Sequence, residues 1–145
     1  MILAEFLALF LCGTFFGAAV YISIAQHPAS LKAGVSVAAK FFPPMYGLAA
    51  PMQIVSALGG TLGGLVQWYL TDNILWAIGA AFLVFVIPFT LVVLKPINDQ
   101  LLDSEAQRTE SETEKLLNLW APRHLVRSIA SGLSFAIYLW ASISS

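Results

Sequence analysis

Long runs of apolar residues, separated by short polar segments, dominate the pattern along the chain. Four stretches approach the ~20 residues that an α-helix needs to cross a hydrocarbon core of about 30 Å. They cover residues 2–25, 46–70, 74–94 and 124–143. The serines in the fourth stretch are compatible with lipid when they face a neighbouring helix. The pattern therefore predicts an all-α fold, an integral membrane four-helix bundle that forms a single domain over residues 1–145.

The two long connections, 26–45 and 95–123, have patterns of their own. Residues 28–42 are apolar with interspersed lysines, which predicts a short interfacial helix after the first span, ended by Pro43 and Pro44. In the second connection, Ser111-Glu112-Thr113-Glu114 has the form of a capping box. The fourth helix is therefore expected to start near Glu112, in water, and to kink or break at Pro122.

Composition agrees with a membrane location. Apolar residues make up 59% of the chain and charged residues 10%, whereas a soluble domain carries about 25% charge. The few basic residues also argue against nucleic-acid binding, which needs a positive surface. The first apolar stretch is too long for a secretory signal, so we interpret it as a retained transmembrane helix. Cys12 is the single cysteine, so the chain has no disulfide of its own and no CxxC metal motif.

Basic residues are distributed on one side of the predicted bundle. Six of the seven Lys and Arg residues lie in the two long connections, and the seventh, Arg127, lies just beyond the second, whereas the turn Thr71-Asp72-Asn73 contains only an acid. The positive-inside rule then places both connections in the cytoplasm and both termini outside.

Two features inside the spans have competing explanations. Four glycines of the second span form overlapping small-xxx-small pairs, namely Gly59, Gly60, Gly63 and Gly64. They predict close helix packing within the chain, with contact between two copies of the chain as the alternative. Glu5 lies near the outer end of the first span, where it either reaches the interface or acts as a buried proton carrier.

Polar residues gather where the spans reach the cytoplasmic side. His27 follows the first span, Asn98 follows the third, and Trp120, His124 and Arg127 lie on one face of the fourth helix. Such residues commonly anchor helix ends at an interface. The alternative is a shared site, because all of them arrive at the same membrane depth. Two histidines and one asparagine are too few to predict a metal site.

Several of these segments resemble the anthrone oxygenase family of small four-span membrane proteins. The similarity begins with Gly17-Ala18-Ala19-Val20-Tyr21-Ile22-Ser23 and His27-Pro28. It continues through Ala50-Pro51, Pro88-Phe89-Thr90, Pro96-Ile97-Asn98 and Trp120-Ala121-Pro122-Arg123-His124-Leu125-Val126-Arg127. The resemblance implies oxidation of an anthrone, or of another aromatic polyketide-type or hydrophobic substrate, with dioxygen as co-substrate and no organic cofactor.

The residues suit that chemistry. An anthrone methylene loses a proton to give an enolate that reacts with dioxygen, so the protein needs a base and a group that stabilises the enolate oxygen. His27 or His124 suits the first task and Arg127 and Asn98 suit the second. The expected lining of a flat pocket, open to lipid or cytoplasm, consists of Trp120, Tyr46, Phe41 and Phe42.

Two other functions remain open at this stage. One is a non-enzymatic membrane protein that binds a lipid or an aromatic ligand, or scaffolds a partner. The other is a metal or haem site that uses His27 and His124. Oxygen uptake with an anthrone would favour the oxygenase. Bound colour or stoichiometric metal would favour the metal or haem site.

Overall fold

The computed structural model describes residues 2–144, and its regular elements are all helical. In chain order they are α1 (Ile2–Tyr21), a π-helical turn (Ile22–Gln26), α2 (His27–Lys32), α3 (Val35–Thr71), α4 (Ile74–Phe89), a second π-helical turn (Thr90–Leu94), α5 (Lys95–Leu102) and α6 (Glu110–Ile143). The π-helical turns continue their neighbours, so the elements join into long helices. Four of these, Ile2–Lys32, Val35–Thr71, Ile74–Leu102 and Glu110–Ile143, are long and apolar enough to cross a membrane. The predicted all-helical fold with four spanning helices is confirmed.

The four long helices form an antiparallel bundle. α1 packs against α3 and α6, and α4 packs against the same two helices on the other side. The turns at 33–34 and 103–109 lie at one end of the bundle, which we call the connection end. The turn at 72–73, the start of α1 and the end of α6 lie at the other end, which we call the terminal end.

The helices are longer than the apolar stretches that predicted them. Gly34, with φ +119°, makes the reversal between α2 and α3, a conformation that favours glycine. The predicted helix over 28–42 is therefore split between α2 and the start of α3. The prediction that Pro43 and Pro44 end it is wrong, because α3 continues through both and through Pro51. Helix-breaking residues are tolerated in membrane helices because neighbouring groups satisfy the freed backbone atoms.

The fourth helix begins in the polar segment, as predicted, but with a different cap. Thr109 Oγ1 accepts a hydrogen bond from the Glu112 N–H at 3.2 Å, and Glu112 Oε2 accepts one from the Thr109 N–H at 2.8 Å. This reciprocal pair is a capping box, and α6 therefore starts at Glu110. The helix passes Pro122 without a break.

Glycines of α3 allow close packing at the terminal end. A Cβ on Gly63 would lie 2.8 Å from the Ala8 backbone nitrogen, so α1 and α3 touch through their backbones there. A Cβ on Gly64 would overlap the Tyr138 hydroxyl of α6. Gly59 and Gly60 likewise have neighbours from the same chain, on α1 and α4. Packing inside one chain thus accounts for the predicted small-residue face.

Polar side chains at the terminal end form hydrogen bonds between the closely packed helices. Tyr138 donates to the Gly60 carbonyl at 3.1 Å, and Cys12 is buried with its Sγ 3.4 Å from Ser134 Oγ. Glu5 is half-buried and accepts a hydrogen bond from Ser142 at 2.5 Å. Glu5 thus ties α1 to α6 at the end of the bundle away from the histidines.

Candidate functional site

Two π-helical turns shape the connection-end half of the bundle. Each of them ends just before an X-Pro pair, His27-Pro28 in the first long helix and Lys95-Pro96 in the third. The His27 N–H donates to the Ile22 carbonyl and the Lys95 N–H to the Thr90 carbonyl, five residues back. A proline ring crowds the carbonyl four residues before it, and the wider turn relieves that crowding. π-helical turns frequently occur at functional sites.

A buried stack of rings occupies this half. The Trp120 indole lies 4.4 Å from the His124 ring, stacked at 19°, and 4.9 Å from the His27 ring. Phe42 meets the same indole edge-on at 5.5 Å. The two imidazole centroids are therefore within roughly 10 Å of each other, about one interhelix spacing. Trp120 also donates from Nε1 to Asn98 Oδ1 at 2.8 Å, which joins α5 to α6.

His27 is held by the backbone of α6. Its Nε2 lies 3.0 Å from the Leu117 carbonyl oxygen, and because a carbonyl only accepts, Nε2 carries the proton and donates it. The neighbouring cleft measures only about 10 Å³ and includes Phe41, whose side chain is 43% exposed. His27 therefore ties the first long helix to the fourth, beside the larger cavities described below.

His124 has a different environment. Its Nδ1 lies 2.9 Å from Ser23 Oγ, which in turn lies 2.9 Å from Ser128 Oγ. The other ring nitrogen, Nε2, has no hydrogen-bond partner among residues 2–144. If Nδ1 donates to Ser23 and Ser23 donates to Ser128, the Nε2 lone pair is available to accept a proton.

Arg127 is paired with an amide instead of a carboxylate. Its Nη2 donates to Gln53 Oε1 at 2.6 Å, and its guanidinium carbon lies 5.3 Å from the centre of the Phe15 ring. The ion pair found within residues 2–144 is Lys95–Asp99, on the surface, so Arg127 has no acidic partner there. Arg127 Nε and Gln53 Nε2 are buried donors without acceptors. Each such orphan costs about 1–3 kcal/mol, more for a charged group.

These groups border two adjoining cavities of about 70 and 240 Å³. Both are lined by Tyr46, Gln53, Ile54, Thr90 and Arg127, and the smaller also by Asn98, Trp120 and His124. The larger is otherwise apolar, with exposed Leu58 and Leu91 at its rim between α3 and the third long helix. Because both leucines are exposed on the outside of the bundle, the cavity is open to its side.

The sequence-predicted residues thus fall into three groups. Asn98, Trp120, His124, Arg127 and Tyr46 lie around the smaller cavity. His27 and Phe42 contact the Trp120 indole outside it, and Phe41 is exposed at the surface.

Sequence reasoning missed Gln53 and Ser23. Gln53 had a usable signal, since it is a polar residue well inside an apolar span. Ser23 had none, because its partner His124 is 101 residues away.

Metal-binding side chains do not gather in this region. Over the described part of the chain, no group of three or more His, Cys, Asp or Glu side chains could hold a metal ion. The two histidines instead engage the Leu117 carbonyl and the Ser23 hydroxyl, one each.

Comparison with known proteins gives one family match. Residues 36–137, more than half of the chain, match the family model described as anthrone oxygenase. This segment includes Gln53, Asn98, His124 and Arg127, whereas Ser23 and His27 precede it. Searches of curated proteins and of solved structures found no match.

Proposed function

The chain belongs to the anthrone oxygenase family, and on that premise we propose that it oxidises the methylene of a flat, anthrone-like substrate with dioxygen. One observation carries the proposal: Arg127, half-buried and without an acidic partner among residues 2–144, lies with His124 at the smaller cavity and also borders the larger, mainly apolar one. An apolar cavity with few convergent polar groups suits a hydrophobic ligand and fixes its orientation.

The reaction balances without an organic cofactor. A base takes one methylene proton, and the resulting enolate gives its electrons to dioxygen, so that a carbon–oxygen bond forms and a peroxide is protonated. Loss of the second methylene proton then breaks the oxygen–oxygen bond. The products are a new carbonyl on the substrate and one molecule of water, so dioxygen is the oxidant and the methylene carbon is oxidised.

His124 is the better candidate for the base. It lines the cavity together with Arg127, and its Nε2 has no competing partner within residues 2–144. His27 donates its Nε2 proton to the Leu117 carbonyl and lies outside the cavity, so we assign it a packing role. Arg127, assisted by Asn98 at the same cavity, stabilises the enolate oxygen.

We also propose an orientation for the bundle in its membrane. The basic residues of the connections lie at the connection end, and the positive-inside rule directs that end to the cytoplasm and the terminal end outside. The cavity then lies in the cytoplasmic half of the bundle, open to lipid.

Anthrone-dependent oxygen consumption in nanodiscs tests the activity. We expect His124→Ala to lower the rate about 10²–10⁴-fold through loss of the base. Arg127→Ala should lower it about 10²–10³-fold through loss of the electrostatic stabiliser. Arg127→Lys should recover part of that loss, since Lys keeps the charge but lacks the planar fork of donors.

Glu5→Gln, at the terminal end, is the matched control and should keep a near-normal rate. Near-normal turnover in both His27→Ala and His124→Ala would rule out histidine as the base. No oxygen uptake by the wild-type protein, together with tight binding of the substrate, would favour the non-enzymatic ligand-binding function instead.

A further inference from the structure

We infer that Gln53 is a ligand-binding residue, which with Arg127 forms a two-donor site for the anionic oxygen of a planar aromatic ligand. The inference rests on the proposed function for the substrate class, an enolate or phenolate. It adds a binding residue on a second helix, because Gln53 belongs to α3 and Arg127 to α6.

The orientation of the Gln53 amide is fixed by its partner. A guanidinium only donates hydrogen bonds, so the atom 2.6 Å from Arg127 Nη2 must be the amide oxygen. The amide NH₂ is therefore directed elsewhere. The side chain is 4% exposed, and its Nε2 has no acceptor within the described residues. Gln53 thus offers a buried, oriented donor beside the cavities that it lines.

The ligand group that suits these two side chains is a hydrogen-bond acceptor with a negative charge. Arg127 also has an unpartnered buried donor, Nε, and no carboxylate from residues 2–144 balances its charge. The nearby Thr90 hydroxyl is not their partner, and its own proton is already donated to the Val86 carbonyl at 2.6 Å. A cationic ligand would be repelled by Arg127, whereas an oxygen anion would satisfy donors from both side chains.

The remainder of the ligand must be apolar and flat. Away from Arg127 and Gln53, the larger cavity is lined mainly by Phe15, Ile54, Ala57, Leu58 and Val86. Its rim is lipid-facing, so a ligand dissolved in the bilayer reaches the site from the side of the bundle. A fused-ring phenolate or enolate combines these properties.

The test uses a monohydroxyanthraquinone, which is already oxidised at both central carbons and whose phenol and phenolate forms absorb at different wavelengths. Binding is measured by titration into nanodiscs that contain the full chain. We expect the wild-type protein to bind the dye and to enrich the phenolate band. Gln53→Leu should weaken binding about 10- to 100-fold, the usual value of a hydrogen bond to a charged group.

Gln67→Leu is the matched control. Gln67 is equally buried in the same helix but lies in the terminal half and lines neither cavity, so its substitution should leave the Kd unchanged. Gln53→Glu retains an acceptor for Arg127 and adds a negative charge, so it should remain folded and lose the phenolate band. This second variant decides the matter if Gln53→Leu does not fold.

Binding by Gln53→Leu within about threefold of the wild-type Kd would overturn the inference. A retained phenolate band in Gln53→Glu would overturn it as well. Dye binding that depends on Gln53, in a protein that consumes no oxygen with an anthrone, would instead contradict the proposed oxygenase activity alone.

Discussion

At the scale of single residues, the site depends on which nitrogen of His124 carries the proton. Ser23 Oγ lies within hydrogen-bond distance of both His124 Nδ1 and Ser128 Oγ. A serine hydroxyl has one proton, so donation to Ser128 leaves it as an acceptor for the Nδ1 proton. That order of donors keeps Nε2 basic. We propose that Ser23 is a positioning residue that selects this tautomer of the proposed base.

Removing the Ser23 hydroxyl should slow the reaction without weakening substrate binding. We expect Ser23→Ala to lower kcat about tenfold, the equivalent of one hydrogen bond, and to leave KM unchanged because Ser23 lines neither cavity. Ser23→Thr, which keeps the hydroxyl, should restore most of kcat. Thr14→Ala on the same long helix is the control, since Thr14 bonds only to its own helix at Phe10. An unchanged kcat in Ser23→Ala would contradict the tautomer argument.

Residue spacing could predict part of this site. Trp120, His124 and Arg127 were placed on one helix face by their spacing, and all three line the smaller cavity. The contact between Arg127 and Gln53 joins residues 74 positions apart, and no local pattern encodes such a pair. Local sequence also does not distinguish Phe41 from Phe42. They are neighbours in sequence, but Phe41 is exposed and Phe42 is buried.

At the scale of helices, the apolar stretches predicted the number of elements better than their ends. An apolar stretch predicts only the part of a helix that would lie in lipid. α6 begins earlier than its apolar stretch, because its polar first turns from Glu110 are helical as well. Pro43 and Pro44 predict a helix stop because a proline in a helix interior costs about 3 kcal/mol. Inside the bundle that cost is absorbed, and the reversal occurs at Gly34 instead.

Close packing of α1 on α3 should make Gly63 sensitive to a single added methyl group. We expect Gly63→Ala to lower the free energy of unfolding by about 1–3 kcal/mol, because the Cβ meets the backbone of α1, which cannot rotate away. Gly47→Ala on the same helix is the control. Its Cβ has open space, so it should be neutral or stabilise by up to about 1 kcal/mol. Unfolding by SDS in mixed micelles measures both, and equal stabilities would show that the helices do not pack this closely.

At the scale of the whole molecule, the two halves of the bundle have different tasks. The terminal half is filled by small residues around Trp76 and Tyr138, whose rings lie 5.2 Å apart. The connection half contains the imidazole–indole stack, the unpartnered donors of Arg127 and Gln53, and the cavities that these two side chains border. Tight packing at one end thus supports the candidate site at the other.

The proposed orientation predicts which end of the bundle an impermeant reagent reaches. The connections, at one end, contain six of the seven Lys and Arg residues, and translocating that end would move these charges across the membrane. In a Cys12→Ala background, we expect an impermeant maleimide to label the Ser144→Cys variant in intact cells. The Ser104→Cys variant, at the connection end, should react only after permeabilisation. Both serines are exposed in the fold, so burial does not explain a difference between them. The reverse labelling pattern would place the histidine-containing half on the outer side and contradict the assignment.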